Sequence, residues 1–316
     1  HPPPSPPAPS RSADRPLRVD ALQANKERVL GFLRPAHPGV PRVPNLGTGC
    51  HSRVVYAHPG TDALKPEGAT ACPSVKAVVE QADTIFLSLP DGAIVNQVAE
   101  EIAAVANPRA DFVIDLSTIG PDASRRAAKT LAARNIAFGD APVSGGRSGA
   151  IKGTITLIFS GDKARFDDHM DVFNAFCGNP FHVGDEAGQG QALKLLNNFL
   201  SATAMAATSE AIVYGLSQGL DMKTMLDVVN VSTGANTASK DKFPNRVLTG
   251  TFDAGFFAEL LNKDVQLYID NVRKAKTPAD VGETVSAIWQ QGTDQFEPKT
   301  DFTNIYKFIR DRRGRK

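Results

Sequence analysis

A lysine and an asparagine four residues apart, Lys194 and Asn198, stand in the run GQGQALKLLNNFL (188–200). Residues four apart share a helix face, and the helix they would sit on is apolar nearly all round. A lysine buried there is costly unless it is paired or its pKa falls. An amine in that state can exchange a proton with a substrate hydroxyl, and the asparagine can fix that hydroxyl or the lysine. The plain alternative is a lysine snorkelling from a helix end to solvent. Three further segments carry polar groups after apolar approaches. DLSTIGP (115–121) presents Ser117 and Thr118, and DAPVSGGRSGA (140–150) groups Ser144, Gly145 and Gly146. Glycines let backbone N–H groups approach an anion, and a hydroxyl beside them adds a donor. Ser117, Ser144 and those amides are therefore candidates to hold a carboxylate, with two ordinary turns as the alternative. In ELLNKDVQLYID (259–270), Lys263 and Asp264 read either as an exposed pair of little energetic weight or as a lysine reaching toward a sheet mouth.

The elements that must position these residues follow from periodicity. RVVYA (53–57), TIFLSLP (84–90) and DFVIDLS (111–117) are short β-branched and aromatic runs, and they read as buried strands. SVKAVVEQA and AIVNQVAEEIAAVA lie between them with helical spacing, so βαβ units and a parallel sheet are expected. TITLIFSG (154–161) reads as a late strand with PFHVG (180–184) beside it. Beyond Gly190 the pattern is helical, starting with one long apolar helix closed by Gly219. The expected fold is α/β: a Rossmann-type, doubly wound, mostly parallel sheet followed by an all-α C-terminal domain. Its expected divisions are a Pro-rich disordered tail (1–27), a dinucleotide-binding domain (28–186) and a helical substrate and dimerisation domain (187–316).

Composition narrows the partners. Formal charge is +1 and charged residues make up 22% of the chain, so neither nucleic acid nor an anionic membrane surface is expected as partner. No uninterrupted apolar stretch approaches the roughly 18 residues of a membrane span. Cys50, Cys72 and Cys177 have no metal-ligand spacing; an odd count with no secretory signal suggests reduced thiols in a cytoplasmic protein, and no metal is expected. The long apolar helix exceeds what the helical part buries by itself, so a homodimer or homotetramer is expected.

In this order and at these spacings, DLSTIGP, DAPVSGGRSGA, GQGQALKLLNN and LLNKDVQLYID resemble the motifs of the β-hydroxyacid dehydrogenases, from about residue 28 to 310. That family includes 3-hydroxyisobutyrate dehydrogenase and tartronate semialdehyde reductase. The resemblance implies NAD(P)-dependent interconversion of a small β-hydroxyacid and its aldehyde or keto acid. It implies Lys194 as general acid/base with Asn198 beside it, and Ser117, Ser144, Gly145 and Gly146 as the carboxylate-binding elements. Leu89, Pro90, Thr118 and Lys263 match positions lining the cofactor, NAD or NADP.

The resemblance departs most at GFLRPAHPGVPRVPNL (31–46), where a Gly-x-Gly-x-x-Gly phosphate loop is due. Arg34 and Ala36 replace the first two glycines and only Gly39 remains. Arg34 falls at the tight turn out of the strand, Pro35 and Pro38 each remove an N–H donor, and Pro44 falls inside the helix due there. Two other readings follow: a cofactor-deficient homologue acting as a binding or scaffold protein, and an imine reductase. A scaffold has no chemical need for Lys194, Asn198 and Ser144, and imine reductases usually lack a lysine at that position.

Overall fold

The apolar runs become the strands and the amphipathic runs the helices that cross between them. In chain order the first part comprises β1 (Val29–Pro35), β2 (Ser52–His58), β3 (Thr70–Ala71), α1 (Val75–Val79), β4 (Thr84–Leu87) and α2 (Gly92–Ala103). β5 (Phe112–Asp115), α3 (Pro121–Ala132), β6 (Ala137–Asp140), β7 (Val143–Ser144) and α4 (Gly146–Lys152) follow. β8 (Ile155–Ser160), α5 (Lys163–Asp168), α6 (Met170–Phe176) and β9 (Cys177–Gly184) complete it. From Gln189 the chain is helical: α7 (Gln189–Ser217), α8 (Met222–Asn230), a π-helical segment (Ala238–Val247), α9 (Ala258–Ala275), α10 (Asp280–Thr293), a 3-10 turn (Phe302–Asn304) and α11 (Ile305–Asp311). The computed structural model describes residues 28–35, 52–58 and 70–312. The Pro-rich tail, Ala36, Pro38, Gly39, Pro44 and Cys50 lie outside the described residues.

One sheet has the order β3-β2-β1-β4-β5-β6-β8-β7, with β9 also paired to β8. β1 to β6 are parallel where they meet, and β8 runs antiparallel to β6 and β7. This is the doubly wound, mostly parallel arrangement expected from the sequence. β1 has β2 on one side and β4 on the other, so the winding reverses at β1 and opens a crevice at the carboxyl ends of β1 and β4. On one face, Leu33, Ile85, Leu87 and Val113 pack with Val78, Val95 and Leu131 from α1, α2 and α3. On the other, Leu30, Phe86, Phe112 and Phe159 meet Phe166, Phe173 and Phe176.

Two departures from the sequence reading have local causes. β1 runs on through Arg34 and Pro35, which pair with Ala57 and His58. Arg34 therefore belongs to a strand and not to the tight turn assigned to it. Proline fits there because it ends the strand and interrupts no further ladder. β3 and β7 have two residues each, too few to show a period, and β6 (AFGD) has one strong strand former among its four, so pairing alone defines them. The expected partnership of 180–184 with 154–161 holds, within a longer β9 that runs parallel to β8.

α7 is long and apolar enough by length and composition to cross a membrane. Here it is the central post of the helical part, packed on β8, α9, α10 and α11. Met205 and Ile212 of α7 join Phe243, Val265, Trp289, Phe302 and Tyr306 in one core, and Trp289 Nε1 donates to Ala202 O at 3.2 Å. Gly219 follows the helix at φ 82°, the left-handed conformation that stops it.

Candidate active site

Five segments bring the polar groups together: those after β4 and after β5, the β7–α4 turn, the first three turns of α7, and the start of α9. Lys194 lies in the second turn of α7 and is only 8% exposed. Among the described residues its amine has no hydrogen-bond partner. Burial pushes its pKa below the ordinary value of 10.5; the charge of Asp264 opposes that and the charge of Lys263 adds to it.

Asn198, one turn further, is buried and tied on both sides. Its Nδ2 donates to Asp264 Oδ2 at 2.7 Å, and its Oδ1 accepts from Asn197 Nδ2 at 3.1 Å. Asn197 Nδ2 also lies 3.5 Å from Ser144 Oγ, at the limit of a hydrogen bond. Asp264 Oδ1 is 3.1 Å from Lys263 Nζ, an ion pair without hydrogen-bond alignment. Lys263 Nζ donates to Thr118 O at 2.6 Å. A line of contacts thus runs Ser144, Asn197, Asn198, Asp264, Lys263, Thr118, around the buried amine.

Ser117 turns out to face inward. Its Oγ accepts from Leu89 N at 2.8 Å, its own amide donates to Asp115 Oδ1 at 3.0 Å, and it is buried. Its hydroxyl, expected to meet a substrate carboxylate, braces the ends of β4 and β5. The reason is that the Leu89 amide lies past the end of β4 and needs an acceptor. Asp115 is wholly buried, which pushes its carboxyl up to about 7, while its hydrogen bonds to Ser117 pull it down.

The Ser144-Gly145-Gly146 turn faces outward instead. Gly145 and Gly146 are exposed, at φ 127° and 61°, in the region that disfavours any other residue. Exposed amides next to a half-buried hydroxyl can receive a carboxylate. Thr118 and Leu89 are half-buried and Pro90 is exposed.

A nicotinamide dinucleotide fits this arrangement. The crevice at the winding reversal has apolar Leu89 and Pro90 beyond β4 and Thr118 beyond β5, in the place where open α/β sheets bind ligands. Among the described residues no group of three His, Cys, Asp or Glu side chains could hold a metal ion.

Sequence reasoning did not single out Asp264, Asn197, Gln191 or Asp140 as site residues. Asp264 and Asn197 adjoin residues it did select, and Gln191 is one turn before Lys194 on the same face. Asp140 ends a strand, AFGD, whose alanine and glycine give it no strand signature.

Residues 188–309 match the family described as NAD-binding of NADP-dependent 3-hydroxyisobutyrate dehydrogenase, and residues 51–184 match the NAD binding domain of 6-phosphogluconate dehydrogenase. The chain is 31% identical to 2-(hydroxymethyl)glutarate dehydrogenase of Eubacterium barkeri, over 78% of this chain and 82% of that protein. It is 29% identical to the mitochondrial 3-hydroxyisobutyrate dehydrogenase of Drosophila melanogaster, over 93% of each. A solved structure, 3-hydroxyisobutyrate dehydrogenase of Mycobacterium tuberculosis with L-serine, matches with a TM-score of 0.83 at 27% identity, covering 90% of this chain and 100% of that one.

Proposed function

The chain belongs to the β-hydroxyacid dehydrogenase family, and from that premise we propose how its own residues carry the reaction. It is an NAD(P)-dependent oxidoreductase acting on CH–OH, interconverting a small hydroxyacid and its carbonyl counterpart. The substrates named for its relatives, 3-hydroxyisobutyrate, L-serine and 2-(hydroxymethyl)glutarate, share a carboxylate and a hydroxymethyl group on the adjacent carbon. We assign this chain a substrate with the same pair of groups.

The observation that carries the residue assignments is the Lys194 amine, buried, unpartnered among the described residues and lowered in pKa. Burial that lowers its pKa enlarges the share of neutral amine, and that form accepts a hydroxyl proton. When bound, the nicotinamide supplies the acceptor or donor of hydride. In oxidation Lys194 Nζ takes the proton from the substrate hydroxyl as the carbonyl forms; in reduction it returns that proton to the carbonyl oxygen. Asn198 has one Nδ2 hydrogen committed to Asp264, and the other is offered to the reacting oxygen. The substrate carboxylate rests on the Gly145 and Gly146 amides and the Ser144 hydroxyl. Leu89, Pro90, Thr118 and Lys263 line the nicotinamide end, and Ser117 holds that lining in place through Leu89. The exposed apolar side chains Leu193, Leu196 and Leu200 of α7 support a homodimer or homotetramer.

The test is to titrate the purified protein with NADH and NADPH separately, following nicotinamide fluorescence, and then to assay the three hydroxyacids. Micromolar binding of one cofactor and turnover of at least one acid are expected. Lys194→Ala should keep cofactor binding and lose about 10²–10⁴-fold in kcat. Absence of binding up to millimolar cofactor, by folded protein, would return the chain to the scaffold reading.

A further inference from the structure

The first turn of α7 sits on a buried carboxylate. Asp140, at the end of β6, uses both oxygens and is wholly buried. Oδ1 accepts from Ser124 Oγ at 2.9 Å, Ser160 Oγ at 2.9 Å and Gly188 N at 2.6 Å, and Oδ2 accepts from Gln191 N at 2.8 Å. Ser160 Oγ in turn accepts from Gly190 N at 2.9 Å. Three amides at the N-terminus of α7, which no helix can satisfy internally, are thereby answered by sheet side chains. Burial pushes the Asp140 carboxyl up and the four donors pull it down. All of its partners donate, an arrangement suited to an ionised carboxylate at a positive helix end.

Gln191 extends the attachment. Its side chain is fully buried; Oε1 accepts from Ile119 N at 2.9 Å and Gly120 N at 3.2 Å, and Nε2 donates to Ser117 O at 2.8 Å. It therefore grips the segment after β5 that carries Ser117 and Thr118. Gln191, Lys194 and Asn198 are spaced three and four apart, so one helix face carries the grip, the amine and the amide.

We infer that Asp140 and Gln191 are positioning residues: Asp140 sets the depth and rotation of α7 on the sheet, and Gln191 sets Lys194 in register with the Ser117–Thr118 segment. Both side chains are wholly buried and act through the residues they hold. Their effect is to hold the Lys194 amine dry and aimed, with the reacting oxygen brought to it by groups on the sheet side. The inference rests on the role given to Lys194 above. A shift of about 1 Å in such a group lowers a rate by about 100-fold.

Gln191→Met keeps the bulk and removes all three hydrogen bonds, while Gln191→Glu keeps the acceptor and sets a carboxylate against Ser117 O. Both are measured for kcat, KM, cofactor affinity and melting temperature. The pH dependence of Lys194 acylation by acetic anhydride is read by mass spectrometry, a measurement that needs no turnover. For Gln191→Met we expect kcat to fall by about 100-fold with cofactor affinity within about 3-fold of wild type. The Lys194 labelling midpoint should rise toward the ordinary lysine range, and Gln191→Glu should fall between the two. A lower melting temperature with wild-type kcat and labelling midpoint would overturn the inference. If Gln191→Met does not fold, Gln191→Glu decides by the same measures. If the wild-type protein turns over no hydroxyacid, the functional assignment fails, and the labelling midpoints still decide whether Gln191 positions Lys194.

Discussion

At the scale of single residues, Asp115 shows how a buried charge sets a pH dependence. It lies under the Ser117 amide, its Oδ2 has no hydrogen-bond partner among the described residues, and burial raises its pKa from 3.8 to about 7. In the unfolded chain the group ionises near pH 4 and in the folded protein near pH 7. The stability it contributes is therefore fully present below about pH 4 and is lost as pH rises through 7, by about 4 kcal/mol in total. Asp115→Asn stays neutral at every pH and keeps an acceptor for Ser117 N. Its stability relative to wild type should climb between pH 4 and 8, as read from denaturant unfolding at a series of pH values. A difference that stays flat over that range would show that Asp115 is ionised in the native protein. The DLSTIGP motif was legible in the sequence, but the inward turn of Ser117 was not. Hydroxyl direction depends on the Leu89 amide, 28 residues away.

Among the elements, α7 decides the geometry, and a glycine decides how close it comes. A Cβ built on Gly190 would meet Ile158 O at 2.5 Å, Asp140 Oδ2 at 2.7 Å and Asp140 O at 3.1 Å. Two of these are backbone oxygens of strands and cannot move aside. Gly190→Ala should lift the helix from the sheet, destabilise by about 1–3 kcal/mol and lower kcat with it. Gly219→Ala is the contrast: its Cβ would enter open space, so only the φ of 82° is strained, costing about 1 kcal/mol with kcat unchanged. Calorimetry and initial rates on both variants check this, and equal kcat in the two would show that the seat of α7 is not tight. The cap at Gly219 was readable because helix termination is a local matter. The need for glycine at 190 was hidden, since the atoms that demand it come from β6 and β8.

Across the whole molecule, α7 leaves an apolar line uncovered. Leu193, Leu196, Leu200 and Tyr214 are all exposed, Leu200 by 57% and Tyr214 by 68%. The first three are spaced three and four apart and so share a face. Large side chains left open on the central helix are the kind of surface that a second copy covers. Leu200→Asp should shift the protein toward a monomer in sedimentation velocity, while a wild-type sedimentation coefficient for that variant would place any interface elsewhere.

Sequence alone determined the class of fold, the strand–helix alternation, the helical second half and the motif residues Lys194, Asn198 and Ser144 with its glycines. Those properties depend on local propensity, on periodicity and on which residue types can do chemistry, all carried along the chain. Tertiary structure alone decided that β1 continues through Arg34 and Pro35, that Ser117 is a brace, that Asp264 faces the lysine, and that Asp140 and Gln191 hold its helix to the sheet. Each depends on partners 23 to 74 residues away in the sequence. A hydrogen bond or a burial penalty exists only once the sheet and α7 have closed on each other, and no spacing along the chain records it.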